Sequence, residues 1–268
     1  MRAATLLYHD VVPAGEPESS GFSGPVANRY KLTREMFNAH LRAIVERQQL
    51  SCATATQVLA GETTKTAPCL FTFDDGGVSS LTEIADRLER LDWRGHFFIT
   101  TDRIGDPGFL SADQIRELHQ RGHVIGTHSC SHPERIDALD DADLQREWSE
   151  SSAVLTDILG TPTWCGSVPG GFFSLRVAIA AQRAGMKLLF NSEPTCRWSR
   201  FSELHIAGRL PIVNHTSPAM AATLAVGDAR TILQQQFVWA GKKFAKAVAG
   251  SFYRQASEWY FRRQPQPT

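Results

Sequence analysis

Apolar residues recur along this chain with two different periods, and the two periods alternate. Short runs suited to buried strands occupy 5–8, 70–73, 96–100, 123–127, 163–168, 187–190 and 209–213. Between them lie longer stretches with helical spacing. Thr33 caps a helix whose Phe37, Leu41, Ile44 and Val45 fall on one face. Ser80 opens a second, with Leu81, Ile84, Ala85, Leu88 and Leu91, and Ser111 caps a third that carries Ile115 and Leu118. A long helix covers 140–159 and another 174–185, whereas 13–31, rich in proline, glycine and serine, reads as a long loop of the kind that often serves function. Strand–helix alternation of this kind predicts an α/β fold, either a parallel barrel or a doubly wound sheet. In both, ligands gather at the carboxyl ends of the strands.

The polar residues that stand out are found at those ends. Residues 5–8 deliver His9 and Asp10; 70–73 deliver Asp74, Asp75, Gly76 and Gly77; 123–127 deliver His128 and His132; and 163–168 run into Pro169, Gly170 and Gly171. Two adjacent carboxylates at the mouth of a sheet repel, unless a cation lies between them or one stays protonated. Histidines four apart on a turn closed by Pro133 suit one metal, and two imidazoles with one carboxylate match an open catalytic zinc site. Cys130, between them, reads as turn filler. A carboxylate left free beside such a site can take a proton from water, and a histidine can protonate a leaving group near neutral pH. Hydrolysis of an amide or ester is the reaction class this chemistry suits.

Composition narrows the setting. The 268 residues hold 28 Lys plus Arg and 28 Asp plus Glu, so no global field draws nucleic acid. Five cysteines without a C-x-x-C pair suggest reduced thiols, and no apolar run has the length of a signal peptide or membrane span, so a cytoplasmic protein is expected. Residues 1–232 are expected to form the domain. Residues 233–268 interleave Trp239, Phe244, Trp259 and other aromatics with lysines and arginines, a basic aromatic helix with a disordered tail and a candidate peripheral membrane contact.

The strand-end residues resemble the motifs of the polysaccharide deacetylases (family-4 carbohydrate esterases). Their T-F-D-D-G stands here as Thr72 to Gly76, and their H-[ST]-x-x-H as His128 to His132. The resemblance implies a distorted (β/α)7 barrel, Asp74 as catalytic base, and one divalent metal, zinc by preference, on Asp75, His128 and His132. Pro169, Gly170 and Gly171 stand where the family's third motif meets substrate and, with Arg209, are the candidate substrate contacts; Ser167 replaces that motif's arginine, and Arg209 is also a cation that could serve in its stead. The family's late strand ending in a general-acid histidine has a counterpart at the N-terminus, Thr5 to Asp10, as in bacterial poly-N-acetylglucosamine deacetylases. That similarity implies His9 as general acid, with Asp10 to orient it; His215, past the last strand, is the other candidate.

The implied activity is removal of an N-acetyl group from an amino sugar, in a nucleotide-linked or lipid-linked glycan of a surface-polysaccharide pathway. A deformylase or other small C–N amide hydrolase on the same barrel is one alternative. A carbohydrate-binding protein impaired in turnover by Ser167 is another.

Overall fold

Five-residue strands buried along their whole length set the frame: β1, Ala4–Tyr8, then, past the two-residue β2 (Val11–Val12) and β3 (Leu32–Thr33), β4, Cys69–Phe73. In the computed structural model, residues 1–47, 50–62 and 67–241 are described. The sheet continues through β5 (Gly95–Ile99), β6 (Val124–Thr127), β7 (Cys165–Ser167) and β8 (Leu188–Phe190). It ends with β9 (Trp198–Phe201), β10 (Leu204–Ala207) and β11 (Leu210–Pro211). The order is β11-β1-β4-β5-β6-β7-β8-β10-β9, parallel throughout except for the β9–β10 hairpin. Strands buried on both faces read as continuous apolar runs, which is why the sequence marks them so clearly.

Helices cover the outside. Between the strands run α1 (Pro25–Asn28), α2 (Arg34–Val45), α3 (Ala55–Ala60), α4 (Asp86–Glu89), α5 (Ala112–Gln120), α6 (Asp141–Leu159), α7 (Leu175–Arg183) and α8 (Pro218–Ala225). Along β4 the side chains alternate. Cys69, Phe71 and Phe73 join Leu6, Tyr8 and Phe97 in the core shared with α2, α5 and α8. Leu70 instead packs with Phe98, Cys165, Leu188, Phe190 and Ala207 from four other strands, a second core that only a curled sheet can enclose. Closure is helped by an antiparallel bridge from Arg2 to Arg197. The architecture is the expected distorted barrel.

Several local expectations are corrected. Segment 13–31 is not all loop, since Pro17–Ser19 form a 3-10 turn and α1 follows. Val45 of α2 is 48% exposed, although Phe37, Leu41 and Ile44 are buried as expected. The helix from Ser80 begins as a π-helical stretch, Ser80–Ala85, before α4. Residues 229–241 are helical, and the rest of the expected basic aromatic tail, 242–268, lies outside the described residues. Among the described residues no helix is long and apolar enough to cross a membrane.

Gly126 tests the tightness of the inner wall. A Cβ there would stand 2.6 Å from the Phe98 ring and 2.8 Å from the Cys165 carbonyl oxygen. Gly126→Ala should therefore destabilise the fold by about 1–3 kcal/mol. A urea melt should show a lower midpoint at unchanged slope.

Candidate active site

The two acids at the end of β4 part company because the backbone turns between them. The Asp74 N–H still donates to the Tyr8 carbonyl at 3.1 Å, so Asp74 keeps strand geometry and faces inward. Asp75 has φ 77° and Gly76 φ 84°, left-handed values that Asp tolerates and Gly favours. The Asp75 carbonyl then accepts from Thr100 N–H at 3.3 Å and that of Gly76 from Leu110 N–H at 3.0 Å, fixing the turn against the ends of neighbouring segments.

Asp74 meets Arg209. The guanidinium donates to both carboxylate oxygens, at 2.7 and 2.8 Å, and to Ser167 Oγ at 2.7 Å, while its Nε donates to the Asn191 carbonyl at 3.0 Å. Ser167 Oγ donates in turn to Asp74 at 3.1 Å. Arg209 arrives there because Gly208 passes where a Cβ would lie 2.3 Å from the Glu193 carbonyl oxygen. It is fully buried, so its expected place among substrate-contacting residues is corrected: it orients Asp74 from behind. Burial raises the Asp74 carboxyl, but the charges of Arg209 and His128 and the Arg209 hydrogen bonds prevail and hold it well below the usual carboxylate range.

His128 follows β6 directly. Its Nδ1 hydrogen-bonds the Ser167 carbonyl at 2.9 Å, which puts the proton on Nδ1 and turns the Nε2 lone pair to Asp75 Oδ1 at 3.5 Å. Ser129 and His132 both have positive φ, 66° and 55°, and this double reversal brings the second imidazole back beside the first. His132 Nε2 lies 3.6 Å from the same Asp75 oxygen. Glu147 of α6 clamps the turn, accepting from the N–H groups of Cys130 and Ser131 at 2.9 Å each and from Ser131 Oγ at 2.6 Å.

Ligand atoms of Asp75, His128 and His132 all lie within 4.8 Å of one another. Separations of 3.5–3.6 Å approach the edge of about 3.4 Å expected for tetrahedral bonds of about 2.0–2.1 Å. The charges fit as well. Burial, then the Asp74 and Asp10 charges, push the Asp75 carboxyl well up, the state of a carboxylate lacking a counter-charge. Burial also lowers His132, and His128 to about 3, so both imidazoles are neutral, as ligands must be. The donor set therefore has the spacing, the buried carboxylate and the neutral nitrogens that suit a divalent cation.

His9 is half-buried at the end of β1, its ring 4.6 Å from that of Tyr30 and its Nδ1 without a hydrogen-bond partner among the described residues. Burial lowers it to about 4, against the pull of Asp74 and with the Arg209 and His132 charges assisting. Asp10 does not orient it: the Asp10 carboxylate accepts from the Ser20 and Ser79 hydroxyls instead, a correction. His215 lies exposed beyond β11, its Nδ1 3.2 Å from the Asn214 side-chain oxygen. Pro169 is buried, and Gly170 and Gly171, both at positive φ, continue from Ser167 along the rim. Sequence reasoning missed Glu147, Phe22 (ring 5.0 Å from His132) and Tyr30. Only Glu147 left a signal, a carboxylate beside Leu144 and Trp148 on the buried face of α6.

Comparison with known proteins agrees with this geometry. The family model described as Polysaccharide deacetylase matches residues 61–189. YxkH of Bacillus subtilis (strain 168) is 24% identical over 192 residues, 70% of this chain; the chain spans 64% of the length of YxkH. The Streptococcus pyogenes deacetylase PplD in complex with acetate superposes with TM-score 0.70 at 18% identity, over 84% of this chain and 98% of that one. IcaB from Ammonifex degensii gives 0.68 at 21%, over 84% and 97%. At such identities the structural likeness speaks for the fold.

Removing the guanidinium should expose its role. Arg209→Met leaves Asp74 buried and unpaired, a loss of about 3–5 kcal/mol at neutral pH. A carboxylate with a depressed folded pKa stabilises above its unfolded value, about 4, and loses that contribution as pH falls. Urea titrations from pH 7 downwards should therefore show the gap between wild type and Arg209→Met narrowing as the unpaired Asp74 takes up a proton, and narrowing further below about pH 4 as the wild type loses its contribution.

Proposed function

We propose that this chain, whose residues 61–189 match the Polysaccharide deacetylase family model, is a metal-dependent hydrolase that removes an N-acetyl group from an amino sugar in a glycan or glycan precursor. The observation that carries this reading is the division of labour between the paired acids. Asp74 is held ionised by Arg209, and Asp75 faces two neutral imidazoles. Asp75, His128 and His132 would hold the metal, and zinc suits two nitrogens and one oxygen. Bound there, it would polarise an amide carbonyl and lower the pKa of water towards about 7.

The chain's own groups then divide the proton work. Asp74 accepts a proton from the attacking water. Its low pKa makes it a weak base, but guarantees that it is ionised at any working pH. That proton must end on the leaving nitrogen, and His9, neutral at pH 7 and within the field of Asp74, is the group that can carry it there. Ser167 in place of the family arginine is no argument for an inactive protein, since Arg209 reaches the same carboxylate.

The rim formed by Pro169, Gly170 and Gly171 is proposed to contact the sugar. All five cysteines are free, which supports a reducing, cytoplasmic setting with a nucleotide-linked or lipid-linked substrate of a surface-polysaccharide pathway. Leu233, Phe237 and Val238, exposed on the helical residues 229–241, support the lipid-linked form.

With zinc supplied, purified protein should release acetate from acetylated amino sugars; a panel of sugar nucleotides and oligosaccharides that yields none would reject the reading. Asp74→Asn should keep zinc and lose turnover, whereas His128→Ala or His132→Ala should lose zinc itself, as metal analysis would report. His9→Ala should keep zinc and lose about 10²–10⁴-fold in rate. If His215→Ala produced that loss instead, the proton would travel by the other histidine.

A further inference from the structure

Asp10 is a buried carboxylate that the chemistry above does not use. It is 2% exposed. Its Oδ1 accepts the Ser20 hydroxyl at 2.6 Å and the Ser79 hydroxyl at 2.7 Å. Each hydroxyl accepts in turn: Ser20 Oγ from the Ser79 N–H at 2.9 Å, and Ser79 Oγ from the Val11 N–H at 3.1 Å. The end of β1, segment 13–31 and the start of the helix after the paired acids are thus interlocked through one oxygen atom.

Space enforces the same arrangement. A Cβ at Gly21 would stand 2.1 Å from Asp10 Oδ2, and one at Gly77 2.0 Å from Oδ1, so the carboxylate is clamped between two backbones that carry no side chain. An unpaired buried carboxylate is costly. Here the two hydroxyls and the charge of Lys31, itself 5% exposed, offset that cost. The Lys31 ammonium also donates to the Pro17 carbonyl at 2.6 Å, closing segment 13–31 on itself.

The positions joined are those that furnish the cleft. Asp10 follows His9; Gly21 precedes Phe22, whose ring meets His132; Gly77 lies two residues after Asp75. The Asp10 carbonyl accepts from the Leu32 N–H at 2.9 Å, two residues beyond the Tyr30 ring that covers His9. We propose that Asp10 is a positioning residue whose carboxylate locks segment 13–31 onto the turn after Asp75, and thereby sets His9 and the Phe22 ring in place. The effect on turnover rests on the hydrolase reading above; the lock itself does not.

Hydrogen exchange on the full chain separates the two. Asp10→Ala should speed exchange of the Gly21 and Ser79 amides and their neighbours about 10-fold or more, with β4, β5 and β6 unchanged. Ser20→Ala, which removes the segment's bond to the carboxylate and the acceptor of the Ser79 N–H, should give a smaller rise, at 13–31 and at the Ser79 amide. Asp10→Asn keeps an acceptor at Oδ1 and should recover the wild-type pattern. In zinc-loaded protein, kcat for acetate release should fall about 10²-fold in Asp10→Ala at unchanged zinc content and little-changed KM, and return with Asp10→Asn. Wild-type exchange in both Asp10→Ala and Ser20→Ala would overturn the lock. So would loss of protection through the whole barrel in both, which would make Asp10 an ordinary core residue. Wild-type protein without acetate release would sink the hydrolase reading alone, and the exchange pattern would still decide the lock.

Discussion

The bidentate ion pair between Arg209 and Asp74 is the constraint around which the mouth of the barrel is built. Neither charge could be buried alone, because an uncompensated ion in this interior is far costlier than any packing it provides. Together they tie the end of β4 to Ser167 at the end of β7 and Asn191 just past β8. One guanidinium can reach all three only if the sheet curls, so the pair and the barrel shape require each other. What buried Asp74 needs is a fixed fork of donors behind it, not an arginine at one place in the chain. With serine at 167 there is room for a guanidinium from the far side, and the serine hydroxyl joins the network.

The same pair explains why two neighbouring carboxylates behave oppositely. Asp74 has taken the available cation and is held ionised; Asp75, turned away by its left-handed backbone, is left with burial and the repulsion of Asp74 and Asp10. Two such acids titrate as a coupled system, and only their order is fixed by the surroundings. A site with one saturated acid, one unsaturated acid and two neutral imidazoles could take a divalent cation without disturbing the Asp74–Arg209 pair.

The chain announced its strands because parallel strands buried on both faces leave unbroken apolar runs, as Leu70 to Phe73 do. It announced the donor set because Asp75, His128 and His132 come from two compact motifs, each closed by a local turn. What it could not announce depends on distance in space. The β9–β10 hairpin has its polar Ser199 and Arg200 exposed between Trp198 and Phe201, and so lacks the run that marks its neighbours. Phe22 and Tyr30 sit in a stretch whose prolines and glycines read as loop, and nothing local says that their rings will meet His132 and His9. Asp10 misleads for the same reason. Adjacency to His9 suggests a partner, yet the Asp10 carboxylate is taken up by the Ser20 and Ser79 hydroxyls, which lie far away in the sequence.

His9 itself shows how topology frees a motif from its place in the sequence. β1 lies between β4 and β11, with Leu6 level with Phe71 on one side and Leu210 on the other. The first strand of the chain therefore fills the gap between the paired-acid strand and the last strand. A residue at its carboxyl end stands beside Asp74 whether the chain enters or leaves the barrel there. Strand order in space is fixed by hydrogen-bonded register; the order of motifs along the chain is fixed only by which strand the N-terminus happens to supply. A general-acid role for a histidine at residue 9 thus asks nothing unusual of the fold, and the field it shares with Asp74, Arg209 and His132 is the physical trace of that placement.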